Sequence, residues 1–153
     1  NDEPYYGIDS INNVSLWVPL DPIPEIIALR AIAGSHRWGK KFIPRKFKDQ
    51  TPYVLNAESY EPLPDSELLD RSSEINSFPA MPGDIVAFHF RTLHSAPATT
   101  SHDGRRRVVS FRYTDSTAQW ATRPWKTSPP LEALSLQPGD LLSDDRFPVI
   151  RRN

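Results

Sequence analysis

Sixteen prolines are scattered through the 153 residues of this chain, about twice the roughly 5% share usual in globular proteins. Each one fixes φ and removes a backbone N–H, so long helices and long central strands are interrupted wherever a proline falls. What remains between them suits short strands joined by turns, and we expect an all-β fold with minor helix. The length suffices for one compact core. Residues 1–153 are therefore read as a single domain, with 115–153, which carries Trp120, Trp125 and Phe147, as a C-terminal extension wrapping that core.

Charge and cysteine content narrow the chemistry. Eighteen Lys and Arg against nineteen Asp and Glu leave a net charge of -1, which gives no overall field to attract nucleic acid or an anionic membrane. The basic stretches at 40–48 and 105–107 are short and are read as surface on a chain of balanced charge, so no nucleic-acid partner is expected. There is no cysteine; disulfides, thiolate metal sites and thiol nucleophiles are excluded together, leaving His, Asp and Glu as strong metal ligands. Such a chain suits the cytoplasm. No apolar run approaches the roughly 20 residues that cross a bilayer, and no membrane partner is expected.

Along the chain, residues 13–20 (NVSLWVPL) alternate, with Val14, Leu16, Val18 and Leu20 on one face and Ser15, Trp17 and Pro19 on the other, the pattern of a strand. Residues 24–36 (PEIIALRAIAGSH) permit a short helix or a strand. A short strand is expected at 53–55, and a helix over 64–75 with Asp65 as its cap. The segment 81–94 (MPGDIVAFHFRTLH) begins at a turn and becomes β-rich, and 107–113 (RVVSFRY) follows as a second strand. The two are expected to form a hairpin with a long loop. QPGDLL at 137–142 echoes MPGDIV.

Several of these segments, in this order, resemble the phytanoyl-CoA dioxygenase family over most of the chain. Asn1-Asp2 followed by EPYYGIDSINNVSLWVPLD is similar to the stretch that follows the first histidine of the family's H-x-D motif. The resemblance makes Asp2 the carboxylate ligand and implies a histidine directly before Asn1, with the chain being the C-terminal portion of a larger one. ALRAIAGSH (28–36) is similar to a family strand ending in a Gly-Ser-His turn, although Ile26-Ile27 stand where the family commonly has Asn-Gly. MPGDIVAFHFRTLHSAPATTSHDGRRRVVSFRY (81–113) carries the most specific match and aligns His94 with the distal iron ligand. The family often has His-Gly-Ser where this chain has His94-Ser95-Ala96.

The fold that the resemblance implies is a double-stranded β-helix, a cupin-like jelly-roll barrel. The activity implied is a non-haem dioxygenase using Fe(II), 2-oxoglutarate and O2, which hydroxylates a small-molecule or acyl substrate and releases succinate and CO2. Two imidazoles and one carboxylate on one face of the metal leave adjacent positions open for cosubstrate and O2. The far carboxylate of 2-oxoglutarate calls for a guanidinium, which offers paired donors. Counting back along the family's R-x-x-x-S pattern from Ser110 selects Arg106, with Arg105 the alternate. Asn1 and Trp17 are expected to line the cosubstrate pocket, and His36, His89 and His102 to be structural or to support the ligands from behind. A competing reading is a non-catalytic jelly-roll module that binds a small molecule without metal.

Overall fold

A computed structural model describes residues 1–46, 48–65, 74–99, 105–127, 130, 135–143 and 145–150. Among them eight strands form: β1 (Ile8–Asp9), β2 (Asn13–Pro19), β3 (Leu29–Ile32), β4 (Ile75–Phe78), β5 (Val86–Phe88), β6 (His94–Ser95), β7 (Val108–Thr114) and β8 (Gln119–Trp120). They make two three-stranded sheets, ordered β5-β2-β7 and β4-β3-β6, and a two-stranded pair β1-β8. Every pairing is antiparallel. Strands of two to seven residues are what a proline-rich chain allows, and the all-β expectation holds.

The alternation in β2 sets the sandwich. Ser15, Trp17 and Pro19 are buried while Val14, Leu16 and Val18 are half-exposed, so the mixed face, not the purely aliphatic one, looks inward. Trp17 joins Ile23, Ile27, Ala28 and Leu29 in a cluster flanked by Val86, Phe88, Ala96 and Val108. That cluster takes side chains from both three-stranded sheets and is the layer between them. A smaller cluster of Ile32, Phe42 and Leu93 packs with Leu63 and Ile75.

The ambiguous segment at 24–36 contains a short 3-10 turn (Glu25–Ile27) and then β3. Gly34 follows at φ +70, a left-handed conformation that glycine adopts without steric cost. The turn it makes brings Ser35 back under the strand. The buried Ser35 hydroxyl donates to Ile32 O (2.8 Å) and accepts from the Leu93 N–H (2.9 Å). The Gly-Ser turn thus ties β3 to the residue immediately before His94.

Two expectations are corrected, and a third lies mostly outside the described residues. The segments 81–94 and 107–113 do not form a hairpin, because β2 lies between β5 and β7 and pairs with both. After β5 the chain turns, with Thr92 N–H bonded to His89 O, and crosses to the other sheet as β6. No strand forms at 53–55; Pro52, directly before that stretch, supplies no ladder donor, and Tyr53 N–H bonds Pro44 O instead. The helix expected at 64–75 falls mostly outside the described residues, and its last residue, Ile75, opens β4. The PGD echo is a turn used twice: Met81 N–H bonds Asp84 Oδ2 and Gln137 N–H bonds Asp140 Oδ2.

Arg107 anchors the entry to β7. Its Nε and Nη2 reach the Asp21 carboxylate at 3.0 and 2.6 Å, and its backbone N–H reaches the same group at 2.8 Å. These hydrogen bonds outweigh desolvation and lower the Asp21 pKa from 3.8 to about 2. A depressed carboxyl pKa contributes stability present above the unfolded value and lost as pH falls through the folded one. The side-chain NMR titration of Asp21 is therefore expected to have its midpoint near 2, and Arg107→Gln to return it towards the ordinary value; an unmoved midpoint would show that the contact is not made.

Candidate metal centre

Asp2 is placed by its backbone before its side chain acts. Pro4 starts a 3-10 turn over Glu3–Tyr5, with Asp2 at its N-cap. Asp2 is thus held at a turn, where Pro4 cannot donate to a ladder. The N–H groups of Asp2 and Glu3 both donate to Phe90 O, at 2.7 and 3.2 Å. The buried Glu3 carboxylate accepts two parallel bonds from Arg91, each 2.9 Å. The turn is therefore clamped to residues 90–91, just ahead of His94.

The two Asp2 oxygens have different partners. Oδ2 accepts from Ser15 Oγ (2.6 Å) and from Arg112 Nε (3.2 Å). Oδ1 lies 3.4 Å from His94 Nε2. Ser15 and Arg112 face each other across the β2-β7 ladder, so neighbouring strands present both donors to one oxygen. Burial pushes the Asp2 pKa up, but the hydrogen bond and charge of His94, the Ser15 hydroxyl and the Arg112 charge together outweigh it and hold the carboxyl well below the usual range.

His94 is oriented from behind. Its Nδ1 sits 2.9 Å from Thr92 O, and since a carbonyl only accepts, Nδ1 carries the hydrogen. In the protonated ring Nε2–H donates to the carboxylate, and in the neutral ring Nε2 holds a lone pair directed at it. Two acceptors face each other at 3.4 Å, an arrangement that a shared cation, either a proton or a metal, satisfies. Phe88 packs against the imidazole at 4.5 Å between ring centroids and covers one side of it. The donor set, one imidazole nitrogen and one carboxylate oxygen, fits a non-haem iron site. Among the described residues no group of three His, Asp or Glu converges.

The arginine cluster divides its work. Arg107 is held on Asp21, so alternation turns Arg106 to the other face. There its Nη1 donates to Ile27 O (2.8 Å) and Pro97 O (2.7 Å), and among the described residues no acceptor is recorded for its Nε and Nη2 edge. Arg105 is exposed. Trp17 is in the core beside Ile27 and pairs with Ser110 across β2-β7. Asn1 borders a cavity of about 150 Å³ that also touches His94, Arg30 and Arg45. Its Nδ2 is buried with no partner among the described residues. The structure thus brings Asp2 and His94 together with Asn1 near by, and sets Arg106 and Trp17 against the inter-sheet core.

Sequence reasoning missed Ser15, Arg112, Glu3 and Arg91. Strand parity carried a signal for two of them, since Arg112 shares a face with Arg106 and Ser110, and Ser15 shares one with Trp17. His89 is structural as expected, with Nε2 on Ile11 O and Nδ1 accepting the Arg91 N–H. Its ring lies 5.4 Å from that of His36. His102 is outside the described residues.

Comparison with known proteins bears on the family and the fold. The model of the phytanoyl-CoA dioxygenase (PhyH) family matches residues 1–108. No curated protein sequence matches. Among solved structures, the non-haem alpha-ketoglutarate-dependent carbocyclase SnoK from nogalamycin biosynthesis superposes with a TM-score of 0.66 at 24% identity, covering 99% of this chain and 54% of that one. The epimerase SnoN from the same biosynthesis superposes at 0.65 and 25% identity, covering 99% and 55%. SnoN in complex with Fe3+, alpha-ketoglutarate and nogalamycin RO gives 0.65 at 24% identity. The chain therefore spans about half the length of these solved chains. Their shared fold is the cupin-like double-stranded β-helix, and no helix among the described residues is long and apolar enough to cross a membrane.

Proposed function

The chain belongs to the phytanoyl-CoA dioxygenase family, and from that premise we propose that its parent protein is a non-haem Fe(II)- and 2-oxoglutarate-dependent oxygenase. The observation that carries this reading is the approach of Asp2 Oδ1 to His94 Nε2 at 3.4 Å, with each side chain oriented by partners on its far side. In this reading Asp2 and His94 are two of the metal ligands. The third is the histidine that the H-x-D motif places before Asn1. Iron, when bound, allows O2 to oxidise 2-oxoglutarate to succinate and CO2 while a second, bound substrate is oxidised.

The chain's own residues bind, orient and exclude water. The Thr92 carbonyl holds the His94 proton on Nδ1, so Nε2 stays available as a ligand. Arg106, fixed on two carbonyls, offers its remaining edge to the distal carboxylate of 2-oxoglutarate, with Arg105 as the alternate. Asn1 Nδ2 is a buried donor that lacks an acceptor among the described residues, which supports an anionic cosubstrate beside it. Trp17 and Phe88 line the dry side. We take hydroxylation of a small-molecule or acyl substrate as the outcome. We also read 115–153 as an extension of the same domain, which the pairing of β8 with β1 and the Trp125 Nε1 bond to Pro4 O support.

The test is succinate release by the full-length protein with Fe(II), 2-oxoglutarate and O2 across a panel of metabolites. Arg106→Gln is expected to raise the KM for 2-oxoglutarate by more than about tenfold, as loss of a charge-assisted bidentate contact implies, with iron affinity unchanged. An unchanged KM would move the clamp to Arg105. Absence of succinate under every condition, with metal-independent binding of a small molecule, would favour the non-catalytic module.

A further inference from the structure

Building on the metal-centre reading above, we propose that Ser15 and Arg112 are positioning residues that make Asp2 a one-oxygen ligand, occupying Oδ2 so that Oδ1 alone faces the metal. A carboxylate can bind a cation through one oxygen or both, and the choice decides how many coordination positions stay open for other ligands. Here the choice is built into the β2-β7 ladder. Ser15 is 1% exposed in the middle of β2, where a buried hydroxyl is costly unless bonded. Its bond is to Asp2 Oδ2 at 2.6 Å. Arg112, its register partner on β7, reaches the same oxygen at 3.2 Å.

Two donors fill the lone-pair sites of that oxygen. Those of Oδ1 point towards His94 Nε2. The Arg112 guanidinium is itself steadied over the Tyr6 ring, 4.9 Å from its centroid, a cation–π geometry. Tyr6 directly follows the 3-10 turn that Asp2 caps. The pair therefore fixes which way the carboxylate rotates, and Arg112 withdraws charge from the oxygen that does not bind.

The experiment uses the full-length protein and Co(II) alone, whose visible spectrum reports coordination number. Ser15→Ala and Arg112→Gln are expected to weaken Co(II) binding about 10- to 100-fold, the usual effect of losing a partner behind a ligand. Both should alter the intensity of the Co(II) bands as Oδ2 is released, with metal-free melting temperatures near that of the parent. Arg112→Lys and Ser15→Thr, which keep the charge and the hydroxyl, should recover most of the affinity. If affinity and spectrum per folded molecule are unchanged in Ser15→Ala and Arg112→Gln while Asp2→Asn abolishes binding, the positioning role is overturned and the metal centre stands. If Asp2→Asn itself binds Co(II) like the parent, the metal centre fails.

Discussion

His94→Ala in the full-length protein is expected to abolish turnover and to lower Fe(II) affinity by more than the 10- to 100-fold typical of losing an outer partner. The substitution removes a nitrogen aimed at Asp2 Oδ1 from 3.4 Å and leaves that oxygen without a shared cation. It also removes the ring against which Phe88 packs, so water enters a site whose electrostatics depend on being dry. The fold should survive, because β6 contributes its Leu93 neighbour to the apolar cluster with Ile32 and Phe42, while His94 contributes a partly exposed side chain. Anaerobic Fe(II) titration followed by succinate assay checks both effects. His89→Ala is the control, since both nitrogens of that ring are bonded to backbone; its iron affinity should be retained. If His94→Ala bound iron and turned over like the parent, the ligand assignment would be wrong.

What could be read in the sequence was whatever depends on local pattern. The strand at β2 follows from two-residue alternation, and the turns at Gly34 and Gly83, both with positive φ, follow from glycine's freedom there. The family's motifs located Asp2 and His94. Pairing was not local and so was misread: 81–94 and 107–113 look like hairpin arms, yet the hydrogen bonds of β7 go to β2, a partner some 95 residues earlier in the chain, which no short-range signal specifies. Which face of β2 looks inward was also hidden, because Val14, Leu16 and Val18 are the more apolar set and yet remain half-exposed. The network around Asp2 is long-range throughout. Ser15 and Arg112 lie 13 and 110 residues from it, and become neighbours only when the ladder forms.

Arg91→Met is expected to cost the metal-free protein about 3 kcal/mol, the lower end of what removing one partner of a buried ion pair does. The Glu3 side chain is 4% exposed and Arg91 28%, so the carboxylate bears most of the desolvation and would be left without its two parallel donors. Urea unfolding of the metal-free full-length protein measures the loss. Glu3→Gln combined with Arg91→Met should be less destabilised than the two single effects summed, because the two residues act on one contact. A coupling near zero would show that the pair carries no stability. The consequence reaches the metal centre, since the Glu3 N–H and the Asp2 N–H share Phe90 O as acceptor, one residue before Arg91. Loosening that clamp shifts Asp2 relative to His94 even though neither ligand is altered. Arg91→Met should therefore weaken Co(II) binding as well, and Arg91→Lys, which keeps a charge but not the paired geometry, should fall between the two.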